Sequence, residues 1–306
     1  MRTVRTVDEL RAALAPARRE GRSIGLVPTM GALHDGHLSL IAGAREQCDL
    51  VVVSLFVNPS QFNERADLER YPRDERRDAA AAAAAGADIL FAPSLEEVYP
   101  DGFATSVEVL GVTERLEGAA RGAEHFRGVS TVVTKLLCMT LPDVAYFGQK
   151  DAQQVLVIRR VVADLNLPVR IQALPTVRDA DGLAMSSRNA LLSDEQRTRA
   201  LALSQALQAA GELAASGETS ARSLLDAARG TLQRLGVQQE YLVLVHPTTL
   251  EPIERLTGEA LLAISARIGD LRLIDNLTLS PVAGTALAGR TRGQPLSGKA
   301  NATCSA

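Results

Sequence analysis

Two histidines and a lysine are the residues of this chain whose types and spacing best suit phosphate chemistry. His34 and His37 are three residues apart in the segment Pro28-Thr-Met-Gly-Ala-Leu-His-Asp-Gly-His37, so both imidazoles can lie on one face of a helix. Lys150 follows a glycine in a second turn, Phe147-Gly-Gln-Lys150. Imidazole N–H groups and an ammonium can stabilise the charge on phosphate oxygens during phosphoryl or nucleotidyl transfer. These residue types at this spacing predict a site that handles phosphate.

Each of these residues also has a plainer explanation. The two histidines could ligate a metal, but the sequence has only two others, His125 and His246, and no cysteine near the pair, so further ligands are lacking. They could also be ordinary side chains, and Lys150 a solvated one. The glycines in both turns favour phosphate binding, because they let the backbone approach a ligand and because a helix start favours an anion.

Amide and hydroxyl side chains mark two further candidate contacts. Asn58 and Gln61 follow a predicted strand, and their uncharged amides can hydrogen-bond a small polar substrate, although they could equally cap a turn. Ser186, Ser187 and Arg188 are consecutive in a polar loop, an arrangement that can clamp a phosphate. Because Ser-Ser-Arg occurs in many loops, this segment gains weight only beside the other candidates.

Buried strands and helices alternate through the first half of the chain. The apolar runs 24–27 and 50–57 predict strands, and a predicted helix from Gly36 to Gln47 joins them into a βαβ unit. Pro28 is expected to end the first strand. Further helices are predicted at 7–19, 73–86, 129–141 and 148–166, and further strands at 88–92, 143–147 and 169–174. This order predicts an α/β fold, a Rossmann-like parallel sheet with helices on both faces, whose ligands bind at the carboxyl ends of the strands.

The second half of the chain changes character after residue 176. A turn-rich segment at 176–189 predicts a domain boundary. Predicted helices at 194–215 and 220–235 precede predicted strands at 240–246, 260–267 and 271–279. We therefore divide the chain into a Rossmann-like domain (1–176), a smaller α+β lid domain (177–283) and a disordered tail (284–306). The glycine-punctuated segment 93–127 predicts a lid or an oligomer contact.

Composition excludes several classes of partner. The 306 residues carry a net charge of −3 with both signs interspersed, so the long basic surface of a nucleic-acid-binding protein is missing. No apolar stretch is long enough to span a membrane and the first residues have no signal-peptide core, so we expect a cytoplasmic protein without membrane contact. Three cysteines without metal-ligand spacing predict neither disulfides nor zinc, and we expect Cys48 and Cys138 to be buried thiols.

Four motifs together resemble one enzyme family. They are Pro28-Thr-Met-Gly-Ala-Leu-His-Asp-Gly-His37, Phe56-Val-Asn-Pro-Ser-Gln61-Phe, Phe147-Gly-Gln-Lys-Asp-Ala-Gln-Gln154 and Asp181-Gly-Leu-Ala-Met-Ser-Ser-Arg188. In order and spacing they resemble the pantothenate synthetases (pantoate–β-alanine ligases), which belong to the HIGH-signature nucleotidyltransferase superfamily. The resemblance extends from about residue 24 to residue 279.

The resemblance implies a function and a set of site residues. The implied reaction condenses pantoate with β-alanine through a pantoyl adenylate, uses ATP accompanied by Mg²⁺ held by unassigned ligands, and serves pantothenate and coenzyme A biosynthesis. It also implies a homodimer formed through the first domain, with His37 as the catalytic histidine and His34 and Lys150 beside it. Asn58, Gln61 and Gln154 would bind pantoate and β-alanine. The implied ATP contacts are Met30, Gly31, Ala32, Leu33, His34, Asp35, Gly36, His37, Gly148, Gln149, Lys150, Asp151, Val177, Met185, Ser186, Ser187 and Arg188.

Two other functions compete with this interpretation. A nucleotidylyltransferase with a phosphorylated acceptor would call for lysine or arginine near residues 58–61, and that segment has neither. A nucleotide-binding regulatory module without chemistry would be expected to have lost His37, Lys150 or the segment 186–188, and all are present. Adenylation needs no protein nucleophile, because positioning and charge stabilisation suffice.

Overall fold

The structure of the chain is a computed structural model that describes residues 1–62 and 65–282, without the side chains of residues 65–67. The tail predicted at 284–306 lies outside the described residues. Among the described helices, none combines the length and the apolar character needed to cross a membrane.

A parallel sheet of six strands forms the larger part of the molecule, in the order β1-β4-β3-β2-β5-β6. The strands are β1 Arg2–Val4, β2 Ile24–Thr29, β3 Leu50–Leu55, β4 Ile89–Phe91, β5 Val144–Gly148 and β6 Arg170–Leu174. Every neighbouring pair is parallel, because helical crossovers return the chain to the same end of the sheet. The predicted Rossmann-like fold is confirmed.

Helices cover both faces of this sheet. The helices of this part of the chain are α1 Val7–Arg19, α2 Asp35–Gln47, α3 Arg65–Arg70, α4 Glu75–Ala84, α5 Leu95–Val98, α6 Glu117–Arg121, α7 Ala123–Thr140 and α8 Ala152–Asp164. Side chains alternate along the strands, so Leu26 and Val52 join a core with α1, α7 and α8, whereas Val27 and Val53 join a core with α2 and α4. The apolar runs seen in the sequence are continuous because both faces of the central strands are buried.

Strand β2 continues past Pro28 instead of ending there. Pro28 pairs with Ser54 in the β2–β3 register, and β2 ends at Thr29. Its other neighbour, β5, pairs with β2 only at Gly25 and Leu26, so beyond Leu26 one side of β2 has no ladder partner and a proline is tolerated. The separation of β2 from β5 beyond this point opens a crevice between their carboxyl ends.

A smaller antiparallel sheet follows, in the order β7-β8-β9. Its elements are α9 Asp194–Ala215, α10 Ala221–Arg234, β7 Gln239–Val245, β8 Ala260–Ile268 and β9 Leu271–Leu279. On β8, Leu262 and Ile264 pack against α9 and α10, whereas Leu261 and Ala263 belong to the core of the larger sheet. The predicted α+β arrangement is confirmed, and the small sheet is buried on both faces because it packs against the parallel-sheet unit.

Two local expectations were wrong. Helix α7 begins at Ala123, six residues before the predicted start, and runs through Gly128. A Cβ atom at residue 128 would lie 2.4 Å from the carbonyl oxygen of Ser60, so the glycine serves close packing and not a turn. Cys138 on the same helix is exposed, whereas Cys48 is buried as predicted, because Cys138 falls on the outer face of α7.

Candidate active site

The crevice between the carboxyl ends of β2 and β5 opens into a cavity of about 540 Å³. From β2 the chain crosses to β3 on one side, whereas β5 and β6 lie on the other side. Open parallel sheets bind ligands at such a reversal of strand order. Both turns singled out in the sequence begin here, since α2 follows β2 and Lys150 follows β5.

Most of the predicted site residues line this one cavity. Those that do are Met30, His34, Gly36, His37, Asn58, Gln61, Gly148, Lys150, Asp151, Gln154, Val177, Met185, Ser186, Ser187 and Arg188. The other five, Gly31, Ala32, Leu33, Asp35 and Gln149, are not among the residues that line it. The structure thus brings together side chains from four separate segments of the chain.

A buried aspartate explains why the backbone of residues 31–33 turns away from the cavity. Asp78 on α4 is 2% exposed, and its carboxylate accepts hydrogen bonds from the N–H groups of Ala32 at 2.9 Å and Leu33 at 2.8 Å. Gly31 has a φ of +87°, and a Cβ there would lie 2.9 Å from an Asp78 oxygen. The glycine is required by this turn, which Asp78 holds in place for the histidines that follow.

Hydrogen bonds at the start of α2 fix the protons of the two histidines. The side chain of His34 accepts the N–H of Gly36 at Nδ1, 3.2 Å away, and His37 Nδ1 accepts the N–H of His34 at 3.4 Å. A neutral imidazole that accepts at Nδ1 carries its proton at Nε2. Their ring centroids are 4.1 Å apart. The pair can therefore offer two N–H donors to one ligand.

Burial keeps these imidazoles neutral. It lowers the pKa of His37 to about 3, with further lowering by His34 and Lys150. It also lowers the pKa of His34, to which the nearby Lys150 charge contributes. Burial, followed by the charge of Arg121, lowers the pKa of His125 to about 4. Near neutral pH these histidines act as uncharged hydrogen-bonding groups.

We expect the free energy of unfolding to decrease as the pH is lowered from about 6.5 to about 4. From the ordinary value of 6.5 down to about pH 4, an unfolded chain binds protons at His37 and His125 that the folded chain does not. The free energy of unfolding must therefore decrease as pH is lowered across that window. The melting temperature of His125→Asn, which can still donate to the Gln61 carbonyl, should decline less with falling pH than that of the wild type. The exposed His246→Asn is the matched control, and equal declines in all three proteins would contradict the assignment.

The positive charge of Lys150 is only weakly balanced by the carboxylate described beside it. Its side chain is 19% exposed, and the ion pair described for its ammonium, with Asp151, is long at 3.8 Å. It lies in a 3₁₀ turn, Gln149–Asp151, that leads into α8. A partly buried ammonium facing a cavity attracts anionic oxygens strongly because solvent screens it poorly.

The predicted substrate amides are organised around Asn58. Asn58 is 1% exposed; its Nδ2 donates to Gln61 Oε1 at 3.1 Å and to the Gly128 carbonyl at 3.2 Å. Its Oδ1 accepts the hydroxyls of Ser60 and Tyr99, both at 2.9 Å. With all polar atoms engaged inside the protein, Asn58 supports the turn that carries Gln61.

His125 was missed as part of this site by sequence reasoning. Its Nδ1 lies 2.8 Å from the Gln61 carbonyl oxygen and so donates to it. Together with Asn58, it fixes Gln61 from the start of α7, while Gln61 Nε2 lies 3.0 Å from the Met30 sulfur. A lone histidine in an irregular segment gave no signal of this contact.

The loop after β6 is anchored to α9 and β9. Arg178 donates two hydrogen bonds to Asp275 on β9, at 2.6 and 3.0 Å, and the Asp275 side chain is 2% exposed. Arg197 on α9 binds Asp179 at 2.7 Å and Asp181 at 2.8 Å. Loop residues Val177 and 185–188 are thereby held against the cavity.

Two groups of lining residues were missed entirely. An apolar wall comes from α7 and includes Phe126, Val129, Val132, Val133 and Leu136. A polar wall comes from the small sheet and includes Tyr241, Arg272, Asp275 and Asn276. The helical periodicity of α7 could have predicted the first wall. The only sequence signal for the second is the polar pair 275–276 inside an apolar strand.

An ion network joins the small sheet to α6 at the edge of the cavity. Arg272 donates to both Glu117 and Glu240, Tyr241 donates to Glu117 at 2.9 Å, and Arg121 donates to Glu117 at 2.9 Å. The two guanidinium groups, through hydrogen bonds and charge, outweigh burial and lower the pKa of Glu117. Glu117 therefore stays ionised as the centre of this network.

The described residues contain no group of three or more histidine, cysteine or acidic side chains that could hold a metal. Of the four described carboxylates that line the cavity, Glu117 and Asp275 are bound to arginines, and Asp270 lies in the turn between β8 and β9. Asp151, 49% exposed, has only the long contact with Lys150 among its described ion pairs. This donor set fits Mg²⁺ carried by phosphates, which needs one or two carboxylates.

Comparison with known proteins places the chain among close relatives. A model of the family "Pantoate-beta-alanine ligase" matches residues 2–278. The pantothenate synthetase of Cereibacter sphaeroides is 53% identical over 274 residues, which cover 90% of this chain and 98% of that protein. The pantothenate synthetase of Moorella thermoacetica is 50% identical over 280 residues, covering 91% and 99%.

Solved structures agree with these sequence relatives. The crystal structure of pantothenate synthetase from Thermus thermophilus has a TM-score of 0.87 and 48% identity, covering 92% of this chain and 100% of that one. The pantoate-beta-alanine ligase of Francisella tularensis, complexed with beta-gamma ATP and beta-alanine, has a TM-score of 0.74 and 34% identity, covering 90% and 97%. The family resemblance predicted from the four motifs is confirmed.

Proposed function

This chain belongs to the pantoate–β-alanine ligase family, and from that premise we propose that its cavity binds ATP beside pantoate and joins pantoate to β-alanine. The reaction is an ATP-dependent condensation that yields pantothenate, AMP and pyrophosphate. The observation that carries the assignment of residues is that His37, Lys150, Ser186 and two glutamines line one cavity.

The reaction proceeds in two displacements. A carboxylate oxygen of pantoate attacks the α-phosphorus of ATP, and pyrophosphate leaves with the electron pair of the broken P–O bond. The amine of β-alanine then attacks the acyl carbon of pantoyl adenylate, loses a proton and expels AMP. Neither step needs a protein nucleophile, so the residues act by orienting the reactants and stabilising charge.

The phosphate contacts divide between the two turns and the loop. His34 and His37 present neutral N–H donors, and Lys150 supplies a positive charge for the triphosphate as negative charge shifts toward pyrophosphate. Ser186, Ser187 and Arg188 add donors from a loop that lines the same cavity. Because burial keeps His37 neutral near neutral pH, its N–H can donate a hydrogen bond to a phosphate oxygen.

Pantoate fits between the glutamines and the apolar wall. Its two hydroxyls and carboxylate are matched by the amides of Gln61 and Gln154, while its two methyl groups match the side chains of Phe126 and Val129 on α7. A pocket with few polar groups set in apolar surface is typical of small-molecule sites. Asn58 and His125 support Gln61 from behind.

Mg²⁺ enters this scheme as part of the substrate MgATP. When bound, it neutralises phosphate charge and favours departure of pyrophosphate. Asp151 is the residue we assign to its coordination sphere, with the other positions filled by phosphate oxygens and water. Because ATP is a substrate, we place the enzyme in the cytoplasm.

Substrate omission tests the proposal. The purified protein is incubated with ATP and pantoate, ATP and β-alanine, or all three, and AMP and pantothenate are measured. We expect AMP to be formed continuously only with all three, and a single enzyme-bound equivalent of adenylate with ATP and pantoate. Faster AMP formation with another small acid would point to a different nucleotidyl transfer, and binding of ATP without AMP would point to a regulatory module.

We further propose that the protein is a homodimer with its contact in the segment 93–128. This segment exposes large apolar side chains, with Leu95 46%, Phe103 37% and Leu110 73% accessible, and two-fold dimers are the commonest soluble assembly. Light scattering should give twice the chain mass, and Leu110→Asp should shift it toward the monomer. Leu235→Asp, at a 41% exposed site on the small domain, is the matched control. A monomeric wild type at micromolar concentration would refute the proposal.

A further inference from the structure

Asn276 on β9 reaches from the small sheet into the turn that carries Lys150. Its side-chain amide donates to the carbonyl oxygen of Gln149 at 3.0 Å and to that of Lys150 at 2.8 Å. The residue is 6% exposed. Both amide protons are thus used on two consecutive backbone carbonyls of one turn.

Those two carbonyls define the direction of the Lys150 side chain. The Gln149 carbonyl lies in the peptide plane before the Lys150 Cα atom, and the Lys150 carbonyl lies in the plane after it. Peptide units are planar, so the backbone has only φ and ψ free at that Cα. Fixing both planes fixes both angles, and with them the Cα–Cβ bond from which the ammonium extends.

Local interactions leave this turn weakly held. Neither Gly148 nor Asp151, which precede the 3₁₀ turn and α8, makes a side-chain capping hydrogen bond in the described structure. The N-caps of several other helices do so, as Thr6 does before α1 and Ser193 before α9. The turn therefore takes its fixed geometry from a residue of another domain.

Asn276 is poorly suited to bind phosphate itself. Its Oδ1 is buried and has no hydrogen-bond partner among the described residues. That atom is an acceptor with no proton to offer an anionic oxygen, and its donor group is already occupied. Its neighbour Asp275 accepts hydrogen bonds from Arg178, so the middle of β9 contacts both the Lys150 turn and the loop that carries Ser186 to Arg188.

We infer that Asn276 is a positioning residue for adenylate formation: it fixes the peptide planes around Lys150 and so aims the ammonium at the bound triphosphate. This rests on the proposed role of Lys150 toward ATP. A misplacement of about 1 Å can lower a rate by about a hundredfold, so loss of these two hydrogen bonds has a measurable effect although Asn276 touches no substrate.

A double-mutant cycle tests this dependence. Single-turnover adenylate formation is measured for wild type, Asn276→Ala, Lys150→Ala and the double variant. We expect Asn276→Ala to lower the rate about ten- to a hundredfold when Lys150 is present, and less than about threefold when residue 150 is alanine. Thr278→Ala, at an exposed position of the same strand, is the control and should match wild type.

Asn276→Leu keeps a similar side-chain volume but has no hydrogen-bond donor. It serves as a second variant in case Asn276→Ala folds poorly. It should melt close to wild type and show the same dependence on Lys150. Equal losses in both backgrounds, or a wild-type rate in folded Asn276→Leu, would overturn the inference while leaving the ligase assignment intact. A wild-type rate for Lys150→Ala would instead refute the proposed role of Lys150 and this inference with it.

Discussion

Replacing Lys150 or His37 by alanine should lower the rate of adenylate formation by about a hundredfold or more. Lys150 faces the cavity from the turn after β5, and His37 faces it from the start of α2, the helix that follows β2. Removing one donor to a developing charge in a water-excluded site typically costs about a hundred- to a thousandfold in rate. Rapid-quench measurement of AMP-containing intermediate in a single turnover reports this step directly.

The two variants should differ in how they affect ATP binding. Lys150→Ala removes a full charge and should weaken ATP binding as well as the rate, whereas His37→Ala removes a neutral donor and should act mainly on the rate. His246→Ala, an exposed histidine outside the cavity, is the matched control. Rates near wild type in both cavity variants would mean that neither turn carries the chemistry.

Replacing Gln61 or Gln154 by alanine should raise the pantoate requirement about ten- to a hundredfold and leave ATP binding near wild type. Both side chains line the cavity, and Gln61 is fixed by Asn58 and His125. Truncation leaves substrate hydroxyls or the carboxylate without a partner, which costs about 1 to 3 kcal/mol per group. Calorimetric titration with each ligand separately, followed by steady-state kinetics, measures both effects.

Gln233→Ala on α10, an exposed glutamine that is not among the residues lining the cavity, controls for the general effect of losing an amide side chain. Asn58→Ala should resemble Gln61→Ala in pantoate dependence but should also lower the melting temperature, because Asn58 is buried and satisfies four partners. Equal losses for ATP and pantoate in the glutamine variants would place them in the nucleotide site or the fold.

The two turns could be predicted because their signals are local. At each turn a buried apolar run, a glycine and a basic or histidine side chain fall within a few residues, and parallel topology brings strand ends together. Asp78 could not be predicted in the same way. It lies in a charged stretch, and its burial depends on Ala32 and Leu33, 46 and 45 residues earlier.

Other misses have the same cause. The low helix propensity of glycine predicts that a helix is interrupted at Gly128. Gly128 nevertheless lies inside α7, where only a glycine fits against the backbone of Ser60. Strand β1 is three residues long and is defined only by pairing with β4. Asn276 has no local feature that relates it to Lys150. Contacts between distant segments, and not local propensity, decide these positions.

The hydrogen bonds from Asn276 to the Lys150 turn can form only late in the synthesis of the protein. They join residues 126 and 127 positions apart, and β9 is the last described strand. The six strands of the parallel sheet and the turns after β2 and β5 all lie before β9 in the chain, so they are synthesised first. The Lys150 turn would still lack an anchor at that stage. From the roles proposed for Lys150 and Asn276, we expect chains that end before β9 to lack these two hydrogen bonds and to form adenylate more slowly than the full chain.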